Sequence, residues 1–200
     1  MIHPENILYP AGHHAVGKTE LCDYLVDEYG FKVVETGAMV RSLYASRSKQ
    51  YEDLSLGEFV DAVDTVSPTF FDEELFTRIT DLGGKQSRII VNGMRAYPNI
   101  EYLKNTLPNT KHSVLWMQAN FELLHNRYMN REKKETSLEE FKNLLDFDLQ
   151  LGLGDIQDNA DFTINNESTI DILRFNTDIV MRRLGLTALN AKQSTDFELT

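Results

Sequence analysis

Residues Gly12-His13-His14-Ala15-Val16-Gly17-Lys18-Thr19 set two glycines, a lysine and a hydroxyl at the spacing G-x-x-x-x-G-K-[ST], and the chemistry of that spacing is phosphate binding. The glycines let backbone N–H groups turn inward around phosphate oxygens. Lys18 supplies a point charge for β- and γ-phosphates, and Thr19 offers a hydroxyl to Mg²⁺. A helix beginning near Lys18 adds its positive end. Four fixed positions match by chance in roughly one chain in a hundred of this length. The expected cofactors are therefore ATP and Mg²⁺, with residues 12–19 as the cradle. His13 and His14 fill variable positions where both can touch nucleotide. Metal binding by them is not expected, because adjacent side chains diverge and no third ligand is evident.

Four further sets of residues bear on chemistry. Thr36-Gly37-Ala38-Met39-Val40-Arg41 follows a β-branched run, so it projects at the carboxyl edge of a sheet. There Arg41 is either a bidentate clamp for a second phosphate or a surface arginine on an amphipathic helix; the neighbouring phosphate loop favours the clamp. Asn92-Gly93-Met94-Arg95 follows another apolar run. An aspartate holding the Mg²⁺ shell is expected at that strand end, and Asn92 can serve only through a metal-bound water. Asn92-Gly93 also reads as a plain turn, with Arg95 as a candidate for the acceptor's phosphate. Arg127 and Arg131 are four apart, on one helical face, followed by Lys133 and Lys134. They read equally as a lid closing charge over a transferring phosphoryl group and as a solvated face paired with Glu132 and Glu135. Glu35, at a strand end, is either a polar terminus or a general base for a substrate hydroxyl.

The elements that must position these residues follow from patterning. Ile7-Leu8-Tyr9, Phe31–Glu35, Arg88–Val91, Val114–Met117 and Phe162–Ile164 read as five strands. Pro10 is expected between the first strand and the loop, where a missing N–H costs little. Helical spacing places Leu21 and Leu25 on a helix ending at Gly30, and Val40, Leu43 and Tyr44 on one spanning residues 37–50. Ser67-Pro68 reads as a helix start, Pro98 as another, Ser137-Leu138-Glu139-Glu140 as a capping box, and Ser168 as the cap of a last helix ending at Gly185. Strands alternating with helices specify an α/β fold, a mostly parallel sheet with helices on both faces.

Two hundred residues, 42% of them hydrophobic, suit one domain. A net charge of −11 argues against general nucleic-acid binding, since no basic excess is available to displace counterions. The single cysteine, Cys22, reads as a buried structural thiol and fits a reducing cytoplasm. No apolar run approaches membrane-spanning length, so no membrane partner is expected. Asp61, Asp64, Asp72, Glu73 and Glu74 read as solvated faces. Phe70, Phe71, Phe76 and Trp116 read as core, and residues 189–200 as a polar tail. Oligomeric state is not legible.

Thr36 to Arg41 resembles the T-G-D-x-[LV]-R segment of adenylate kinases, with Ala38 in the aspartate's place, and Arg127-x-x-x-Arg131 resembles the pair opening their lid. Asn92 to Arg95, and the stretch Asp148 to Asn165, resemble segments of dephospho-CoA-kinase-like P-loop kinases. The resemblance implies a P-loop NTPase fold of the nucleoside monophosphate kinase type over residues 1–188. The resemblance itself covers about residues 5–184, and residues 1–188 are expected to form the single domain. It implies a parallel five-stranded core, a helical acceptor-binding region near 37–80 and a short lid near 131–140. Lys18, Arg127 and Arg131 would be catalytic, Thr36, Gly37, Arg41 and Arg95 would bind substrate, and Thr19 with Asn92 would serve the metal. The partner is then a small-molecule phosphoryl acceptor, foremost a nucleoside monophosphate. A kinase directed at a hydroxyl, with Glu35 as base, is the alternative within enzymes. A nucleotide-binding switch or ATPase without an acceptor is the alternative of another class.

Overall fold

The computed structural model describes residues 3–47, 49–84 and 87–189. Strand and helix alternate from the start. The apolar strand β1 (Asn6–Ala11) enters the phosphate loop. The loop feeds α1 (Lys18–Tyr29), which ends on Gly30 in a left-handed conformation (φ 68°). β2 (Phe31–Glu35) passes directly into α2 (Thr36–Ala45), followed by α3 (Leu56–Val66) and α4 (Phe70–Leu82). β3 (Arg88–Asn92), α5 (Tyr97–Thr106), β4 (Lys111–Gln118) and α6 (Phe121–Glu132) repeat the alternation. Then come α7 (Leu138–Asp148), a π-helical turn (Leu149–Leu153), α8 (Gly154–Asp158), β5 (Phe162–Asn165) and α9 (Ile170–Arg183).

The five strands form one parallel sheet in the order β2-β3-β1-β4-β5. Alternation along each strand divides its side chains between two cores. Leu8, Ile90, Leu115 and Met117 meet α1, α7 and α9 through Leu21, Leu25, Phe141 and Met181. Ile7, Tyr9, Val91, Val114 and Trp116 face the other way, against Met39, Leu75, Ile79, Ile100 and Leu103 of α2, α4 and α5. The expected α/β sheet covered on both faces is thus present. Side-chain direction alternates with period two, so successive residues enter opposite cores and the central strands are buried along their length.

Several local expectations are corrected. Pro10 lies inside β1, paired with Leu115 of β4. The pairing of β1 with β3 stops at Leu8, short of the proline. The helix expected over 37–50 ends at Ala45, and residues 49–51 form a separate 3-10 turn. Ser67 closes α3 rather than opening α4, whose first turn follows Thr69. Thr169, not Ser168, precedes α9. The capping box at Ser137 forms as expected, with Glu140 returning the hydrogen bond at 2.8 Å. Asp72 is no solvated face: it is buried and accepts from Asn99 Nδ2 at 2.9 Å, and burial pushes its carboxyl up. Phe70 is partly exposed, whereas Phe71 and Phe76 pack against the core. Most of the tail expected at 189–200 lies outside the described residues. Among the described residues, no helix is long and apolar enough to cross a membrane.

Candidate functional site

The phosphate loop lies at the carboxyl end of the central strand β1, where the strand order reverses, between β1 and α1. Gly17 is the residue before α1 and is left-handed (φ 98°), and no side chain caps the helix. Its first N–H groups are therefore available to an anion, which the helix dipole also favours. A Cβ at Gly17 would come within 2.4 Å of Asn166 Nδ2, so the position tolerates only glycine for steric as well as dihedral reasons. Ala15 is also left-handed (φ 60°), an uncommon state for a residue with a side chain.

Lys18 turns its ammonium back over the loop, donating to Gly12 O at 2.7 Å and His13 O at 2.9 Å. Burial, above all, lowers its pKa to about 8. Arg95 and Arg131 push the same way, and Asp148 opposes them. His13 meets Trp116 edge-on, with its Nδ1 buried and unpartnered, and burial lowers its pKa too. His14 Nε2 lies 3.2 Å from Asp148 Oδ2.

Two pockets adjoin the loop. One, of about 340 Å³, runs along its outer side past Val16, Thr19, Arg127 and Arg131. The other, of about 140 Å³, opens between the loop and the turn after β3, past Gly12, His14, Gly93, Arg95 and Asp148. Lys18 and Arg131 line both. Arg127 donates to Asn166 O at 2.9 Å, which holds it against the first pocket. Arg131 reaches the pockets while pairing with its neighbour Glu132 at 2.8 Å. Arg131 thus lines both pockets and carries an ion pair on the same guanidinium.

The turn after β3 is built from both sides. Thr36 Oγ1 donates to Asn92 O at 3.1 Å, and a Cβ on Gly93 (φ 93°) would strike that hydroxyl at 2.7 Å. Asn92 Nδ2 donates to both carboxylate oxygens of Glu35, at 2.9 and 3.0 Å. Its Oδ1 is buried without a partner. Arg95 reaches the second pocket and donates from Nη1 to Asp148. Arg41 is not brought there. It is exposed and folds back toward its own helix start, with Nη1 3.2 Å from where a Cβ on Gly37 would sit.

The donor set suits a hydrated Mg²⁺ rather than a protein-caged metal. Thr19 is exposed beside the loop, and the orphaned Asn92 Oδ1 needs a hydrogen-bond donor such as a metal-bound water. Among the described residues, no group of three or more His, Cys, Asp or Glu side chains is arranged to hold a metal ion. Cys22 is buried, and burial raises its thiol pKa to about 12, so it stays an unreactive core group.

Sequence reasoning did not single out two of these residues by themselves. Asn166 is buried and donates from Nδ2 to Val16 O at 2.9 Å, bracing the loop from the carboxyl end of β5. Asp148 is buried between Arg95 and His14. Nothing local marks either: one is the asparagine that follows β5, the other one of many carboxylates.

The AAA domain family model matches residues 11–144, and the chain belongs to that family. The adenylate kinase of Mycoplasmopsis pulmonis is 29% identical over 121 residues, which are 60% of this chain and 56% of that protein. The chain thus matches little more than half the length of that curated relative. Among solved structures, TT1252 from Thermus thermophilus superposes with a TM-score of 0.65 at 17% identity, over 91% of this chain and 98% of that one. Shikimate kinase from Acinetobacter baumannii, in complex with shikimate, gives 0.57 at 18% identity, covering 90% and 94%. Dephospho-CoA kinase from Campylobacter jejuni gives 0.55 at 17%, covering 90% and 97%. At these identities the likeness is one of fold, and the fold is that of P-loop kinases.

Proposed function

We propose that this protein transfers the γ-phosphoryl group of ATP to a small acceptor, a nucleoside monophosphate or a related nucleotide. One observation carries the reading: the pocket beside the phosphate loop and the pocket beside Arg95 meet at two shared cations, Lys18 and Arg131. A donor in the first and an acceptor in the second would face each other across those charges. The kinship with an adenylate kinase supports the nucleotide acceptor.

In this reading the loop N–H groups and Lys18 hold the β- and γ-phosphates. Lys18 must leave the carbonyls of Gly12 and His13 to do so. An acceptor oxygen attacks the γ-phosphorus, its bond forms as the bond to the β-bridging oxygen breaks, and ADP departs with that electron pair. Arg131 and Arg127 balance charge on the equatorial oxygens, and Arg95 orients the acceptor. Mg²⁺ would be held by Thr19 and, through water, by Asn92, and would neutralise phosphate charge. Positioning and electrostatics do the work, because an ionised phosphate acceptor needs no base. Arg41 would join only if α2 moves toward the pocket.

A second reading has its own support. Asn92 fixes the carboxylate of Glu35 beside the acceptor side, where it would serve as the base for a hydroxyl acceptor. Glu35→Gln separates the two: it abolishes turnover of a hydroxyl acceptor and is largely tolerated by a monophosphate kinase. The reading as a whole is tested by ADP release from ATP and Mg²⁺ with a panel of nucleoside monophosphates, nucleosides and dephospho-CoA. Acceptor-dependent release with one class supports it. Steady hydrolysis indifferent to every acceptor makes the protein an ATPase or switch instead.

A further inference from the structure

Asp148 closes the back of the pocket that Arg95 opens into. Its side chain is only 6% exposed, whereas that of Arg95 is 49% exposed and that of His14 is 25% exposed. A carboxylate taken out of water is costly unless its oxygens are met by charge and hydrogen bonds. Here one oxygen accepts from Arg95 Nη1 and the other faces His14 Nε2 at 3.2 Å. Burial pushes the Asp148 carboxyl up, but the hydrogen bond and charge of His14, with Arg95 and His13, outweigh it and hold it below the usual range. The carboxylate therefore stays charged at neutral pH. It joins three separate segments: the end of α7, the turn after β3 and the phosphate loop. Both side chains are thus gripped from the buried side and open on the pocket side.

We propose that Asp148 is a positioning residue that holds Arg95 and His14 as a two-armed clamp for a phosphate group of the acceptor. The proposal rests on the kinase reading and deepens it by naming what enters the pocket. Arg95 spends one donor nitrogen on Asp148 and keeps the rest of its fork for the ligand. Anchoring a long, mobile side chain beforehand removes an ordering cost that binding would otherwise carry. Asp148 is unsuited to ligate Mg²⁺ directly, because both of its oxygens already face cationic or hydrogen-bonding partners.

The test compares wild type with Asp148→Asn and Asp148→Glu in three measurements. These are ATP affinity by calorimetry, acceptor KM and kcat, and the rate at which phenylglyoxal labels Arg95, read by peptide mass spectrometry. Asp148→Asn is expected to raise acceptor KM about tenfold and to label Arg95 several times faster, with ATP affinity within about twofold of wild type. Asp148→Glu should recover part of both changes. Unchanged KM and labelling, or ATP affinity lost by the same factor as KM, overturns the proposal. So does a lower KM, which would mean that the carboxylate competes with the incoming anion. If wild type phosphorylates no acceptor, the kinase reading fails. Arg95 labelling then decides only whether Asp148 anchors Arg95: faster labelling in Asp148→Asn supports the anchoring, and unchanged labelling overturns it.

Discussion

Asn92 gives its amide to both carboxylate oxygens of Glu35, at 2.9 and 3.0 Å, across the ends of neighbouring strands β2 and β3. The pairing explains why an asparagine is favoured where P-loop enzymes carry an aspartate. The negative charge at this edge already comes from Glu35, and a second carboxylate at that distance would repel it. Asn92→Asp is therefore expected to destabilise the protein by about 1–3 kcal/mol near neutral pH. The repelled pair would hold a proton more tightly when folded than when unfolded, so the loss shrinks as pH falls toward the carboxylate range. Thermal melts at pH 8 and pH 5 read this directly; an equal loss at both would contradict it.

Lys18 gives a second pH dependence, of opposite kind. Its pKa is lowered, chiefly by burial, to about 8. In the free protein its charge is full well below pH 8 and is lost as pH rises through that value. ATP affinity should fall between pH 7 and pH 9.5 in wild type, and stay flat, though weaker throughout, in Lys18→Ala. Folding stability should move the other way. Between about 8 and the ordinary lysine range the unfolded chain binds a proton the folded one releases, so stability rises with pH there. Calorimetric titrations across that range check the first expectation, and a pH-independent wild-type affinity would refute it.

Much of the site was legible because its signals are local. Gly12 to Thr19 is a contiguous pattern between a strand and a helix, and Arg95 follows a strand end by three residues. Arg41 was equally legible as a candidate, yet its guanidinium lies beside Gly37 and does not line the pocket. Asp148 and Asn166 act through tertiary contacts across 53 and 150 residues of chain, which no periodicity encodes. The Ser67-Pro68 expectation failed for a simpler reason. Ser67 donates its own backbone N–H to Val63 O and so closes α3, and the next helix starts later.

Ala15 holds a left-handed conformation inside the loop. That costs an L-residue about 1–2 kcal/mol, most of which glycine avoids. Ala15→Gly is therefore expected to raise Tm by a few degrees while ATP affinity stays within about threefold. A lower Tm in differential scanning calorimetry would show that the alanine side chain packs more than its backbone strains.

Gly17 and Asn166 are coupled through the 2.4 Å approach that a Cβ at Gly17 would make to Asn166 Nδ2. Gly17→Ala should abolish ATP binding, and Asn166→Ala should weaken it about tenfold by releasing the Val16 carbonyl. The double variant should bind better than Gly17→Ala alone, because the clash is gone although the φ strain remains. Additive losses in a calorimetric double-mutant cycle would disprove the coupling.

The central claim is that two pockets sharing Lys18 and Arg131 hold a donor and an acceptor for direct phosphoryl transfer. It is tested most directly by following the label from ATP carrying a marked γ-phosphoryl group, with Mg²⁺ and a nucleoside monophosphate. The account predicts that the label appears covalently on the acceptor, as its diphosphate, with wild type and not with Lys18→Ala. Label recovered only as free phosphate, at the same rate with and without acceptor, would contradict it.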